Sequence, residues 1–210
     1  MKNFYICIMG EMGSGKTTAA RILAQALKFK LIEENFGENA FLPKFYQDMK
    51  RWAFHSQTFF LMEKITQVLE AQRLLARERG IVQDTPIQQD AFSYAKAQHV
   101  IGNIDNAEWG LYQKIYHSFE PNFPKPDLLI YLETSIPAIR SRISSRGRAY
   151  EKKIPVRYLK LLQTLNHTWL KSYKNIPLLR VQTDILNFAK HKRAQKKFVD
   201  TVKRALKFSP

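Results

Sequence analysis

The sequence predicts an α/β fold, a five-stranded parallel sheet flanked by helices. Three observations carry that prediction. Short apolar runs alternate with longer helical stretches along the whole chain, the arrangement of βαβ units. The first unit is joined by Gly10-Glu11-Met12-Gly13-Ser14-Gly15-Lys16-Thr17, which has the glycine, lysine and hydroxyl spacing of a phosphate-binding loop. The length, 210 residues at 45% hydrophobic, suits one domain over 1–210 with a sizeable core.

The first strand is Phe4-Tyr5-Ile6-Cys7-Ile8-Met9, a continuous apolar run of the kind buried in a parallel sheet. After the loop, Ala19, Ile22, Leu23, Ala26 and Leu27 form the stripe of an amphipathic helix. The loop therefore meets a helix N-terminus, where unpaired backbone N–H groups and the helix dipole favour an anion. Gly10, Gly13 and Gly15 let the backbone curl around phosphate oxygens, with Met12, Ser14 and Thr18 completing the nucleotide-facing stretch. Lys16 is expected at the β- and γ-phosphates of the nucleotide and Thr17 on Mg²⁺.

Phe29 to Ile32 reads as a second strand ending in Glu33-Glu34, followed by an irregular segment from Asn35 to Pro43. A long helix is expected from Lys50 to Arg79, closed by Gly80 just past its end. Ile81-Val82-Gln83 is a short third strand ending at Asp84. Helices are expected from Ile87 to Ile101 and from Asn106 to Phe119, and Pro121, Pro124 and Pro126 then break the pattern. Leu128 to Leu132 is a fourth buried strand, and Ile136 to Ser145 is a helix running into Arg146-Gly147-Arg148. Pro155 opens a helix reaching about Tyr173, and Leu178 to Val181 is a weaker fifth strand. Ligands bind beyond the carboxyl ends of strands in such sheets, so the loop, Glu34 and Asp84 are expected to converge.

Composition narrows the function. No run of eighteen apolar residues exists to span a membrane, and the first strand starts too near Met1 for a targeting peptide. The single cysteine, Cys7, falls in that strand and reads as a small buried apolar residue, which suits a cytoplasmic setting. The net charge is +16. Part of the excess lies on a final helix, where Lys190, His191, Lys192, Arg193, Lys196, Lys197, Lys203, Arg204 and Lys207 surround Phe198, Val199, Val202, Ala205 and Leu206. A solvated basic face on a packed helix is preferred there over a nucleic-acid surface, because no zinc pattern or RNA-recognition signature accompanies it.

Several motifs recur in a fixed order: Glu34 after the second strand; Phe45-Tyr46-Gln47-Asp48; Arg51-Trp52-Ala53-Phe54-His55-Ser56-Gln57; Asp84 through Asp90; Ala107-Glu108-Trp109-Gly110-Leu111-Tyr112-Gln113; and Arg140, Arg142, Arg146, Arg148 with Glu151. In this order, over nearly the whole length, the chain resembles the deoxyribonucleoside kinase family of deoxycytidine, deoxyguanosine and deoxyadenosine kinases. The resemblance implies the P-loop kinase fold with an arginine-rich lid at about 142–153. It implies transfer of phosphate from ATP to a deoxynucleoside 5′-hydroxyl, with Mg²⁺. By it, Glu34 is the general base, Tyr46 bonds the sugar 3′-hydroxyl, and Gln57 pairs with the base. Lys64 stands where relatives carry an arginine near the base, two helical turns after Gln57. Asp84 serves Mg²⁺, Asp90 faces the base with Lys64, and Tyr94 lines the base pocket. That acid–cation pair disfavours thymidine, which has no exocyclic amine. Arg142 and Arg146 stabilise the transferring phosphoryl group, Arg148 assists, and Glu151 accepts the 3′-hydroxyl. Asp184, in Thr183-Asp184, brackets the adenine of ATP. The Trp109 segment belongs to a helix pair that makes a homodimer. Thr85 and Pro86 depart from the arginine and serine of relatives. The alternative reading is therefore a catalytically weakened nucleotide-binding protein that uses its basic surface on a partner or nucleic acid.

Overall fold

The computed structural model describes residues 3–34, 36–148, 151, 154–173, 176–184, 188 and 191–207. Five strands, β1 (Phe4–Met9), β2 (Lys30–Ile32), β3 (Gly80–Asp84), β4 (Leu128–Glu133) and β5 (Leu178–Gln182), form one sheet in the order β2-β3-β1-β4-β5. Every pairing is parallel. β1 is central and runs beside β3 with Ile8 opposite Asp84, so the phosphate loop and the end of β3 emerge side by side. The chain crosses from one side of β1 to the other between β3 and β4, which makes this end of the sheet the topological switch point.

The alternation of β1 sorts its side chains onto two buried faces. Ile6 and Ile8 meet α1 (Lys16–Leu27) through Ala19, Ala20 and Leu23, and meet α9 (Lys192–Lys207) through Phe198, Val199 and Val202. The basic C-terminal helix is thus a packed helix with a charged outer face. Tyr5, Cys7 and Met9 face the other way, toward Ala71 of α3 (Met49–Leu75) and Leu170 of α8 (Val156–Ser172). A further apolar cluster joins Ala53, Leu61 and Ile65 of α3 to Tyr112 and Tyr116 of α6 (Asn106–Phe119).

Four local expectations are revised. α3 ends at Leu75, short of Arg79, and Gly80 opens β3 instead of capping the helix. Its missing side chain has another cause: a Cβ there would stand 2.5–2.6 Å from the Phe29 ring, which stacks on Phe4. Phe29 correspondingly precedes β2. The stretch 35–43, read as irregular, leads into a short helix, α2 (Leu42–Gln47), with Pro43 in its first turn, where the absent N–H is harmless. Finally, the expected helix from Ile87 to Ile101 is α4 (Ile87–Gln89), a π-helical segment Asp90–Ala95, and α5 (Lys96–Val100). π segments are rare and concentrate at functional sites.

Candidate active site

The phosphate loop is shaped by left-handed glycines, with Gly13 at φ 78° and Gly15 at φ 100°. A Cβ on Gly13 would press within 3.1–3.2 Å of Ile143 Cγ1 and the Ile139 carbonyl in α7 (Ile136–Arg146). The loop is clamped from below by residues that the sequence analysis did not single out. Gln89 Nε2 donates to the Gly10 carbonyl at 2.7 Å, and Gly10 N–H donates back to Gln89 Oε1 at 3.1 Å. Glu11 is fully buried, and its Oε1 accepts from Tyr131 Oη at 2.6 Å and Asn166 Nδ2 at 2.9 Å. Spacing carries no trace of these contacts, because each joins residues distant in the chain.

Lys16 begins α1, and its ammonium spans the loop, donating to the Gly10 carbonyl at 2.9 Å, the Glu11 carbonyl at 3.3 Å and Tyr94 Oη at 3.4 Å. Next to it Thr17 Oγ1 donates to Asp84 Oδ2 at 2.5 Å, and Thr85 Oγ1 donates to Asp84 Oδ1 at 3.1 Å. Thr85 is buried with φ 60°, an unusual backbone for a β-branched residue, and its N–H reaches the Ile8 carbonyl. Among the described residues no group of three or more His, Cys, Asp or Glu could hold a metal. Thr17 and Asp84 are hard oxygen donors beside the phosphate loop, and Mg²⁺ needs only one or two of these alongside phosphates and water.

At the end of β2 the two glutamates diverge. Glu33 pairs with Arg21 of α1 at 2.6 Å, and Glu34 turns into the cleft, 3.5 Å from Lys64 Nζ. Burial raises the Glu34 pKa above the usual carboxylate range; Lys64 opposes that rise, and Asp84 adds to it. Asp90 opens the π segment with its Oδ2 lacking a hydrogen-bond partner among the described residues and 3.9 Å from Lys64 Nζ. Its pKa is pushed well up, first by burial and then by the Glu34 charge. Burial alone would lower the Lys64 pKa, but Glu34, Asp90 and Asp84 together raise it, so the ammonium stays charged.

Lys16, Thr17, Glu34 and Asp90 border one cleft of about 850 Å³. Its lining includes the loop from Met12 to Thr18 and Asp184, whose carboxylate accepts from the Ser135 N–H that opens α7. It also includes a wall of Glu34, Tyr46, Gln57, Asp90 and Tyr94, with Tyr94 Oη 3.4 Å from Lys16 Nζ. Phe60, Leu42, Phe45 and Tyr158 complete that wall. The sequence motifs assign them no role, although Phe60 lies one turn from Gln57 on the same helix face. Of the predicted site residues, Gly10, Lys64 and Asp84 stand behind the wall. Lys64 is 1% exposed.

Arginines close the cleft on the α7 side. Arg142 donates to the Ser14 carbonyl at 2.9 Å, Thr183 Oγ1 at 3.0 Å and the Thr183 carbonyl at 2.7 Å, which ties α7 to the phosphate loop. Burial lowers its pKa, with Asp184 opposing. Arg146 grips the buried Glu151 carboxylate through Nε at 3.0 Å and Nη2 at 2.6 Å, and Arg148 reaches it at 3.4 Å. Four residues of the expected lid (149, 150, 152 and 153) and the expected Lys190 lie outside the described residues.

A parallel sheet with its phosphate loop at the switch point, facing an acid and an arginine-bearing helix across one cleft, defines a P-loop phosphotransferase. The deoxynucleoside kinase family model matches residues 6–207. The chain is 31% identical over 203 residues to a deoxyadenosine/deoxycytidine kinase of Bacillus subtilis, covering 96% of this chain and 92% of that protein. It is 34% identical over 158 residues to a deoxyguanosine kinase of the same organism, covering 75% and 74%. Its fold matches that of deoxyadenosine kinase from M. mycoides with bound dCTP at a TM-score of 0.80 and 22% identity, over 97% of this chain and 99% of that one. The chain belongs to the deoxynucleoside kinase family and is a phosphotransferase acting on a nucleoside hydroxyl. The alternative of a weakened binding protein finds no support in these relatives.

Proposed function

We propose that the protein transfers the γ-phosphoryl group of ATP to the 5′-hydroxyl of a deoxyribonucleoside, preferring purine nucleosides or deoxycytidine to thymidine. The observation that carries the reading is the cleft itself, whose lining brings together the buried Glu34 carboxylate and the phosphate loop. In the reaction the 5′-oxygen attacks the γ-phosphorus, Glu34 accepts the hydroxyl proton, and the bond to the ADP oxygen breaks. Lys16 and the loop N–H groups hold the β- and γ-phosphates. Mg²⁺, held by Thr17 and Asp84, would neutralise phosphate charge. Arg142, which reaches the Ser14 carbonyl of the loop, would stabilise the transferring group together with Arg146 and Arg148 of a lid at about 142–153. Tyr46 and Glu151 take the sugar 3′-hydroxyl, Gln57 pairs with the base, and Asp184 borders the adenine of ATP.

Asp90 supports the base preference. Its buried Oδ2, which accepts no hydrogen bond among the described residues and has the Lys64 ammonium nearby at 3.9 Å, suits an exocyclic amine, whereas thymine presents a carbonyl. We also read the protein as a homodimer through α3 and α6, which carry the exposed apolar residues Met62, Leu69 and Leu111. We place it in a reducing, cytoplasmic setting: Cys7 is a free, buried thiol whose pKa burial pushes up to about 12. Among the described residues no helix is long and apolar enough to cross a membrane.

The test is phosphoryl transfer from Mg-ATP to the four deoxynucleosides and their ribose counterparts. Turnover is expected with deoxyadenosine, deoxyguanosine or deoxycytidine and not with thymidine. ATP binding without turnover on any of them would overturn the reading.

A further inference from the structure

Glu34 stands just past the three-residue edge strand β2, so its own strand does little to fix it. What grips it comes from α3. Lys64 Nζ lies 3.5 Å from Glu34 Oε1 and donates to the Asp84 carbonyl at 3.1 Å and to Gln67 Oε1 at 3.2 Å. Gln67, one turn on, donates to the Glu33 carbonyl at 3.0 Å. The two α3 residues thus hold both the side chain and the backbone of the strand end. Asp90 is the more distant acid, at 3.9 Å. The ammonium is 1% exposed and stands behind the cleft wall. Thr85, which follows Asp84, turns its hydroxyl onto that carboxylate and brings no charge to Glu34.

We propose that Lys64 is a positioning residue for phosphoryl transfer. Its buried ammonium, anchored on the Asp84 carbonyl and Gln67, aims the Glu34 carboxylate at the nucleoside hydroxyl and does not read the base. The proposal rests on Glu34 being the general base. A misaimed base loses rate without losing substrate, since a displacement of about 1 Å costs on the order of 10²-fold.

The experiment is a cycle on the whole chain with Lys64→Met, Glu34→Gln and the double variant. For each accepted deoxynucleoside it measures kcat, KM and ATP affinity. Lys64→Met is expected to lower kcat by roughly 10–100-fold, equally for every nucleoside. KM, ATP affinity and the order of base preference should hold. The double variant is expected to be no more than about twofold slower than Glu34→Gln, because residues acting as one unit are not additive. A raised KM with a reordered base preference, or losses that multiply in the double variant, would overturn the proposal. Full activity of Glu34→Gln would sink the general-base reading and this proposal with it. An inactive Glu34→Gln beside a fully active Lys64→Met would sink this proposal alone. If Lys64→Met does not fold, Lys64→Gln, which keeps a donor for the Asp84 carbonyl without the charge, runs the same cycle with the same outcomes.

Discussion

Glu34 and Asp90 are two buried acids drawing on one lysine, and their shared burial sets the pH behaviour of the site. In the proposed role of general base Glu34 would work only when ionised, and burial raises its pKa. Activity should therefore fall as pH drops through a value above the ordinary glutamate range, and Glu34→Gln should lack that acid limb. We expect Glu34→Gln to lower kcat by about 10²–10⁴-fold with ATP binding kept; a wild-type acid limb persisting in the variant's residual activity would assign the limb to another group. Asp90 bears on stability. Its folded-state pKa lies above its unfolded value, so its favourable contribution is complete below the unfolded pKa, near 4, and is lost as pH rises through the folded value. Asp90→Asn does not titrate, so it should melt higher than the wild type at neutral pH, with the gap closing toward pH 4. Equal melting temperatures at neutral pH would mean that Lys64 fully compensates the charge.

At the scale of elements, legibility followed the reach of the physics involved. β1, the loop and α1 could be read because burial and phosphate binding impose local spacing. The bounds expected for α6 match those observed, and a capping box fixes its start: Asp105 Oδ1 accepts from Glu108 N–H at 2.8 Å while Glu108 accepts from Asp105 N–H at 3.0 Å. The π segment was not legible, since a shift in backbone hydrogen bonding leaves the apolar pattern of 87–101 intact. Yet that shift sits where Asp90 and Tyr94 meet the cleft. Likewise the spacing of Gln57 and Lys64 placed them on one helix face but not at different depths. Gly80 was misread for the same reason, because the ring that excludes a side chain there comes from outside its own helix or strand. Gly80→Ala should force Phe29 off its stack on Phe4 and cost about 1–3 kcal/mol, a fall of roughly 2–12 °C in Tm for a chain of this size. Gly80→Ala combined with Phe29→Leu should recover part of the loss. An unchanged Tm in the single variant would mean that the ring moves aside freely.

For the molecule as a whole, the net charge of +16 bears on how chains would meet. Two copies carrying that charge repel, so a homodimer needs an apolar contact strong enough to offset the repulsion. α3 and α6 pack together and offer one: Met62 is 49%, Leu69 40% and Leu111 50% exposed, large apolar side chains on the two helices we assign to the interface. Light scattering should report twice the 24.6 kDa chain mass, and Leu111→Glu should shift the population toward the monomer while leaving ATP binding in place. Salt distinguishes the forces at work. Shortening the Debye length from about 10 Å at 0.1 M toward about 3 Å at 1 M screens the repulsion and leaves apolar burial intact, so dimerisation should strengthen as salt rises. Binding to a nucleic acid through the same positive charge would weaken steeply over that range. A dimer that dissociates in high salt would place charged contacts, and not the α3–α6 face, at the interface.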